Sequence, residues 1–366
     1  MEILCFHERE EMKIVHIVGT RPQFIKLASV SKAMDQYASI IQQVIIHTGQ
    51  HYDTVMSDVF FKELPIPTPK YKLNVGGSTN GAQIAKMRMN LEKPLQEEKP
   101  DWVFVYGDSN SALAGAMTAF TQKIPLAHVE AGVRSYNREM PEEFNRVVID
   151  RISGLLFCPS ATAVKNLERE GITKGVHQVG DVMLDSLMEN TCVAEILPLL
   201  EGDDYFLATI HRQENTDDLE RLERLLQNLE EIESAKVLFP LHPRTKERLD
   251  RLGISIFTPR QRIVFLQPTS YLGMLHLEKH AKAIITDSGG VQKEAYYLKV
   301  PCVTLRNETE WPETVESGWN TLVGDDREKL LRVVEKSKAT PTSHDGFYGD
   351  GKASEKIVDI LIKGVR

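Results

Sequence analysis

Three carboxylates, Asp108, Glu130 and Glu142, stand where a fold of alternating strands and helices exposes chemistry. Asp108 closes the apolar run VFVYGDS, and Glu130 follows the run from Pro125 to Val129 in HVEAGVRSYNREMPEEFNR, residues 128–146. Pro141 reads as the first residue of a helix, because the N–H it lacks would be unpaired there anyway. Glu142 and Glu143 then occupy the first helical turn, where the dipole favours negative charge. Arg134 and Arg138 lie in the loop between. In an open α/β sheet the carboxyl ends of strands face the ligand crevice. Carboxylates and guanidinium groups on one crevice can move protons on an anionic substrate. The plainer alternative is that Glu142 pairs with Arg146 one turn on, a surface contact of small value.

A second set suits a nucleotide. HRQEN (211–215), HPRT (242–245) and TDSGGVQKEA (286–295) each follow a strand-like run. Ser288, Gly289 and Gly290 can bring backbone N–H groups against a phosphate at a helix N-terminus, where glycine permits close approach. Glu294, early in the same helix, is placed to accept hydrogen bonds from a ribose diol. Near the N-terminus, GTRPQFIK offers Arg21 and Lys26 beside a helix start, suited to a phosphate or carboxylate. It has one glycine where the dinucleotide fingerprint needs three. Singly, these are equally a solvated helix start, an ordinary turn and strand-end histidines that satisfy a neighbour. His211 and His242 at equivalent strand ends, with SGG beside them, favour the nucleotide.

The elements that position these groups alternate regularly. Apolar runs at 14–18, 44–48, 102–106, 125–129 and 155–158 read as strands, with helices at 78–98, 109–122 and 141–153 between them. The pattern restarts near Val179-Gly180-Asp181. Strands follow at 205–210, 237–240, 263–266, 283–286, 300–305 and 321–323, and a last helix starts at Ala353. This predicts an α/β protein of two Rossmann-like, doubly wound domains. The boundaries expected are 13–181 with the helix 353–366 packing back, and 182–352, after a loose extension at 1–12. The 366 residues suffice for two domains. A net charge of -8 with interspersed signs argues against nucleic acid. No apolar run reaches the ~20 residues of a membrane span. The four scattered cysteines lack metal-ligand spacing, which fits free thiols in a reducing cytoplasm.

GTRPQFIK, TGQH, GDSNSALAGA, HVEAGVRS, MPEEFNR, HRQEN, TDSGGVQKEA and YGDGKASEKI occur in an order that resembles the non-hydrolysing UDP-N-acetylglucosamine 2-epimerases, from about Lys13 to the C-terminus. The resemblance implies a GT-B-like fold with the active site between the domains. It also implies a homodimer and the reaction UDP-GlcNAc ⇌ UDP-ManNAc without a cofactor or metal. By the same resemblance Asp108, Glu130 and Glu142 form the acid/base set, assisted by His211. Arg21, Lys26, Ser288, Gly289 and Gly290 hold the diphosphate, His242 and Glu294 address uridine and ribose, and Arg134 joins the substrate ligands. The rival activities are a hydrolysing epimerase, an epimerase of another UDP-2-acetamido sugar such as a uronic acid, a GT-B glycosyltransferase and a sugar-nucleotide sensor. Gln23, where the family has an acid, and Trp311, where it has an arginine, are departures expected to alter contacts to the sugar or a closing loop. Asp53 and Thr79 replace activator ligands of bacterial members, of which Gln50 remains, so that activator site is expected to be absent or rebuilt.

Overall fold

The structure, a computed structural model, describes residues 11–50, 63–77, 79–190, 204–256, 260–336, 341 and 343–365. Most of the expected N-terminal extension (residues 1–10) and Asp53 lie outside the described residues. Two units emerge. The first ends at Met188 and resumes at Gly346; the second is Glu189–Asp345.

In the first unit, strands β1 (Met12–Val18), β2 (Ile41–His47), β3 (Tyr71–Lys72), β4 (Trp102–Tyr106), β5 (Leu126–Val129), β6 (Leu155–Cys158) and β7 (Val176–Gln178) form one sheet. Its order is β3-β2-β1-β4-β5-β6-β7, every pair parallel. The crossovers are α1 (Arg21–Asp35), α2 (Asn80–Glu98), α3 (Asn110–Thr121), α4 (Pro141–Ile152) and α5 (Ala161–Arg169), followed by α6 (Val182–Asn190). β4 and β5 are buried almost throughout because helices cover both faces, as parallel sheets require, and both are apolar but for His128 and the Tyr106 hydroxyl. On α2, Met87, Leu91 and Leu95 enter the core with Ile84 packed against them. The small residues of α3 let it approach closely: a Cβ on Gly115 would stand 2.9 Å from Ile17 Cδ1. Order reverses between β1 and β4, and that is where such sheets open a crevice.

The second unit repeats the plan. Strands β8 (Tyr205–Thr209), β9 (Lys236–Pro240), β10 (Ile263–Leu266), β11 (Ile284–Thr286), β12 (Cys302–Thr304) and β13 (Asn320–Leu322) run in the order β10-β9-β8-β11-β12-β13, again all parallel. Between them lie α7 (Gln213–Thr216), α8 (Leu219–Glu230), α9 (Pro243–Arg251), α10 (Tyr271–His280), α11 (Gly289–Leu298) and α12 (Pro312–Glu316), with α13 (Arg327–Lys336) after β13. Here the reversal falls between β8 and β11.

The chain then returns to the first unit as α14 (Ala353–Val365). Its start is fastened by Asp185 on α6, whose carboxylate accepts from Ala353 N at 3.1 Å and Ser354 N at 2.7 Å. Tyr348 O also accepts from Asp181 N at 2.8 Å. These bonds hold α6 in the first unit, so the division falls after Met188, later than the position 181/182 expected from the pattern restart. Cys158 and Cys302 are buried free thiols. Among the described residues no helix is long and apolar enough to cross a membrane.

Candidate active site

Within the first unit the ends of β1, β4 and β5 bring the expected groups together. β1 runs into Gly19, where a Cβ would stand 1.9 Å from Thr48 Oγ1, so only glycine fits. Arg21 opens α1, and Lys26 follows one turn on. Lys26 donates to Glu130 at 2.6 Å, with both side chains at least nine-tenths buried. Glu130 has φ +74°, a left-handed conformation uncommon for a side chain of this size. A Cβ on Gly107, itself at φ +60°, would crowd Lys26 Nζ at 3.1 Å and Glu130 Oε1 at 3.2 Å. The Lys26–Glu130 pair therefore lies against the peptide that precedes Asp108.

Asp108 is held from α4 by adjacent residues. Arg146 donates to its carboxylate, and Asn145 Nδ2 donates to its backbone carbonyl at 2.8 Å. Arg146 also reaches Glu143 at 3.1 Å. Glu143 in turn accepts from Ser135 N, Ser135 Oγ and Tyr136 N, each at 2.9 Å, which ties down the loop before α4. The two first-turn acids thus differ. Glu143 is buried within the loop's hydrogen bonds, and Glu142 is half-buried beside it. Asp108, Lys26, Glu130 and Arg146 form two ion pairs at neighbouring strand ends.

Two residues stand differently from what was expected of them. Arg134, expected among the substrate ligands, is buried and engages Asp150 at 2.7 Å and Glu170 at 2.7 and 2.9 Å. Its guanidinium is committed to the scaffold, and these carboxylates raise its already high pKa against the opposing effect of burial. Gln23, expected to alter contacts to the sugar or a closing loop, is buried and bonded to backbone through both its oxygen and its nitrogen. Its Oε1 accepts from Gly19 N at 2.8 Å and Thr20 N at 3.1 Å, and its Nε2 donates to Tyr106 O at 2.9 Å. That is the N3 half of a capping box extended to the next strand. Gln50, the remaining activator-type glutamine, accepts from Ser111 N at 2.9 Å and Ser111 Oγ at 2.7 Å, at the start of α3. Thr79 is the N-cap residue of α2.

The second unit gathers its groups around Asp287, a residue the motif reading passed over. Its buried carboxylate accepts from His211 N, Arg212 N and Asn215 Nδ2, all at 3.0 Å. It thereby fixes the turn after β8 from the end of β11. His211 stacks on His242, with centroids 5.1 Å apart and planes at 26°. His242 caps α9 by accepting from Arg244 N at Nδ1, 3.2 Å away. Ser288 caps α11, its Oγ accepting from Val291 N at 3.4 Å. The position of a Gly289 Cβ lies 3.4 Å from Trp311 Nε1, 3.5 Å from Glu310 Oε2 and 3.7 Å from Arg212 Nη2. Trp311 is buried beside the start of α11, under the Lys293 ammonium 4.1 Å from its ring centroid, a cation–π contact. Glu294 is buried on the same helix. The signal that could have found Asp287 was its place between a strand and SGG.

A family model described as UDP-N-acetylglucosamine 2-epimerase matches residues 32–362. The chain belongs to that family. It is 49% identical to a UDP-N-acetylglucosamine 2-epimerase homolog of Methanococcus maripaludis, over 96% of this chain and 99% of that one. A UDP-2,3-diacetamido-2,3-dideoxy-D-glucuronate 2-epimerase of Pseudomonas aeruginosa is 44% identical, over 96% of this chain and all of the relative. The crystal structure of the Methanocaldococcus jannaschii UDP-GlcNAc 2-epimerase in complex with UDP-GlcNAc and UDP superposes with a TM-score of 0.91. It has 46% identity and covers 96% of this chain and 100% of that one. This 2-epimerase family therefore supplies the context for the strand-end carboxylates and for the SGG turn.

Proposed function

We propose that the chain is a non-hydrolysing UDP-GlcNAc 2-epimerase that works by eliminating and re-adding UDP. The C2 hydrogen of the sugar has no carbonyl beside it and is not acidic. Inversion without redox chemistry instead takes the C2 proton onto a carboxylate while the C1–O bond breaks. The C–H electron pair becomes the C1=C2 bond of 2-acetamidoglucal, and UDP leaves with the C1–O pair. Protonation of C2 from the other face and return of UDP to C1 complete the change. This requires proton-transfer groups on both faces and a firm hold on the diphosphate.

The observation that carries this reading is the twin ion pair, Arg146–Asp108 and Lys26–Glu130, at the ends of neighbouring strands. Asp108, Glu130 and Glu142 are the proton-transfer groups, and Lys26 steadies the charge of Glu130 rather than acting chiefly on phosphate. In the second unit the N–H groups at Ser288–Gly290 are the diphosphate ligands, and in the first Arg21 is the cation offered to an anionic group of the substrate. His211 assists the departing diphosphate, and His242 and Glu294 address uridine and ribose. On the family resemblance the enzyme is a cytoplasmic homodimer, which light scattering on the purified protein tests.

NMR of the protein with UDP-GlcNAc in D2O tests the reaction. Deuterium at C2 of an intact UDP-sugar is expected. Free ManNAc would mean hydrolysis instead. Exchange confined to UDP-2,3-diacetamido-glucuronate would move the substrate towards that of the Pseudomonas relative.

A further inference from the structure

His128 belongs to the segment that carries Glu130, yet the proton-transfer scheme leaves it idle. It is fully buried on β5. Its Nε2 lies 2.8 Å from Gly107 O, and its Nδ1 lies 2.7 Å from Asp150 Oδ1. A carbonyl can only accept. Asp150 is likewise an acceptor here, since its other oxygen takes Gly132 N at 3.1 Å and the Arg134 guanidinium at 2.7 Å. A neutral imidazole has one N–H and one lone pair. It would set a lone pair against one of these oxygens at hydrogen-bond distance, in a site without solvent. With both ring nitrogens carrying hydrogen, both contacts are hydrogen bonds.

The charges around it agree. Facing His128 and its partner are Asp150 on α4, Arg134 in the loop after β5 and Glu170 after α5, with the Cys158 thiol on β6 near Asp150. The Lys26–Glu130 pair, neutral in itself, lies on the far side of Gly107. A positive His128 with Arg134 balances Asp150 and the partly exposed Glu170, whereas a neutral ring leaves the set with one negative charge in excess.

We propose that His128 is a positioning residue, a doubly protonated ring that, with Asp150, locks the turns carrying Asp108 and Glu130 into register. One N–H holds the Gly107 carbonyl, one residue before Asp108. Asp150, which the other N–H engages, holds Gly132 N, two residues after Glu130. The turn at Glu130 needs holding most, because Glu130 has φ of +74° between two glycines, Gly107 and Gly132, that adopt +60° and +79° without strain. For Glu130 this is strained backbone that persists only where surroundings over-determine it. The inference rests on the reading that Asp108 and Glu130 move protons.

Two measurements test it. In protein labelled with 15N-histidine, the signal lost in His128→Gln should show both ring nitrogens protonated at assay pH. A signal with a single N–H would overturn the proposal, whatever the activity. In steady-state assays His128→Gln should lower kcat about 10²-fold, the scale of a misplacement near 1 Å, with KM and UDP affinity within about twofold. Wild-type kcat in that variant would overturn it too. If His128→Gln does not fold, the His128 ring signal of the wild-type protein is assigned through correlation to its own backbone resonances, and its protonation decides. Wild-type protein that exchanges no deuterium at C2 would instead defeat the proton-transfer reading and leave the ring's protonation to be read separately.

Discussion

Gln23→Ala tests how the first strand end is built. The side chain is buried and makes three hydrogen bonds to backbone: from Gly19 N, from Thr20 N and to Tyr106 O. A neutral hydrogen bond contributes about 1 kcal/mol net, and an orphaned buried group costs somewhat more. Alanine cannot replace any of the three, so the local opening free energy should fall by about 3 kcal/mol. At about 1.4 kcal/mol per tenfold change, the Gly19 and Thr20 amides should exchange with solvent about 10²-fold faster. Hydrogen exchange resolved at these two amides is the right assay, because a chain of two units need not unfold in one step. Gln23→Glu separates the bonds. Its carboxylate still accepts from both amides but, while ionised, cannot donate to Tyr106 O, so protection should survive at 19–20 and fall near 106–108. Exchange at Gly19 and Thr20 within about threefold of wild type in Gln23→Ala would refute the account.

Four further outcomes are expected. Asp108→Asn, Glu130→Gln and Glu142→Gln should each lose about 10²–10⁴-fold in epimerisation while calorimetry shows UDP still bound, and near wild-type turnover would remove that residue from the acid/base set. Asp287→Asn removes the charge from these bonds and, with its oxygen in the Oδ2 position, sets its amide N–H against His211 N. With charge-assisted bonds at about 1.5–3 kcal/mol each, UDP affinity should weaken about tenfold or more, and an unchanged Kd would sink the clamp. His16, pushed down to about 3 by burial against a smaller opposing effect of Gln43, stays neutral in the fold, so the unfolded chain takes up its proton first as pH falls. The stability it supports is complete above about pH 6.5 and lost between there and about 3; denaturation of His16→Gln at pH 7 and 5 should therefore show about 2 kcal/mol less loss than wild type, and parallel losses would contradict this. Initial rates in UDP-GlcNAc should be close to hyperbolic, since Gln50 already serves Ser111, and a lag in reverse turnover abolished by trace UDP-GlcNAc would show that activation persists.

The architecture was legible because parallel strands covered on both faces are written as short apolar runs. β4, β6 and β10 fall where those runs predict, and α4 starts at Pro141 as its residue type dictates. β3 was not legible, since two residues at a sheet edge carry no period. The boundary after Met188 was missed because it depends on Asp185 capping α14, a bond between residues far apart in the chain. Among the site groups, Asp108, Glu130, His211 and Ser288 could be picked out from their places at strand ends.

Charge type alone could not say which way a side chain points. Arg134 and Arg146 both stand near the carboxylates in sequence, yet Arg134 turns inward to Asp150 and Glu170 while Arg146 meets Asp108. The difference lies in position. Arg134 lies in the loop after β5, where α4 and the end of α5 present acids. Arg146 follows Asn145 on α4, so one helical face grips both the carbonyl and the carboxylate of Asp108. Trp311 makes the same point for an apolar substitution. Set where the family has an arginine, it reads in isolation as a lost charge. In the fold, the Lys293 ammonium sits over its ring and its Nε1 points near Gly289, so positive charge remains beside the start of α11. A motif departure therefore changes local chemistry only to the extent that the neighbours it is packed against fail to restore it.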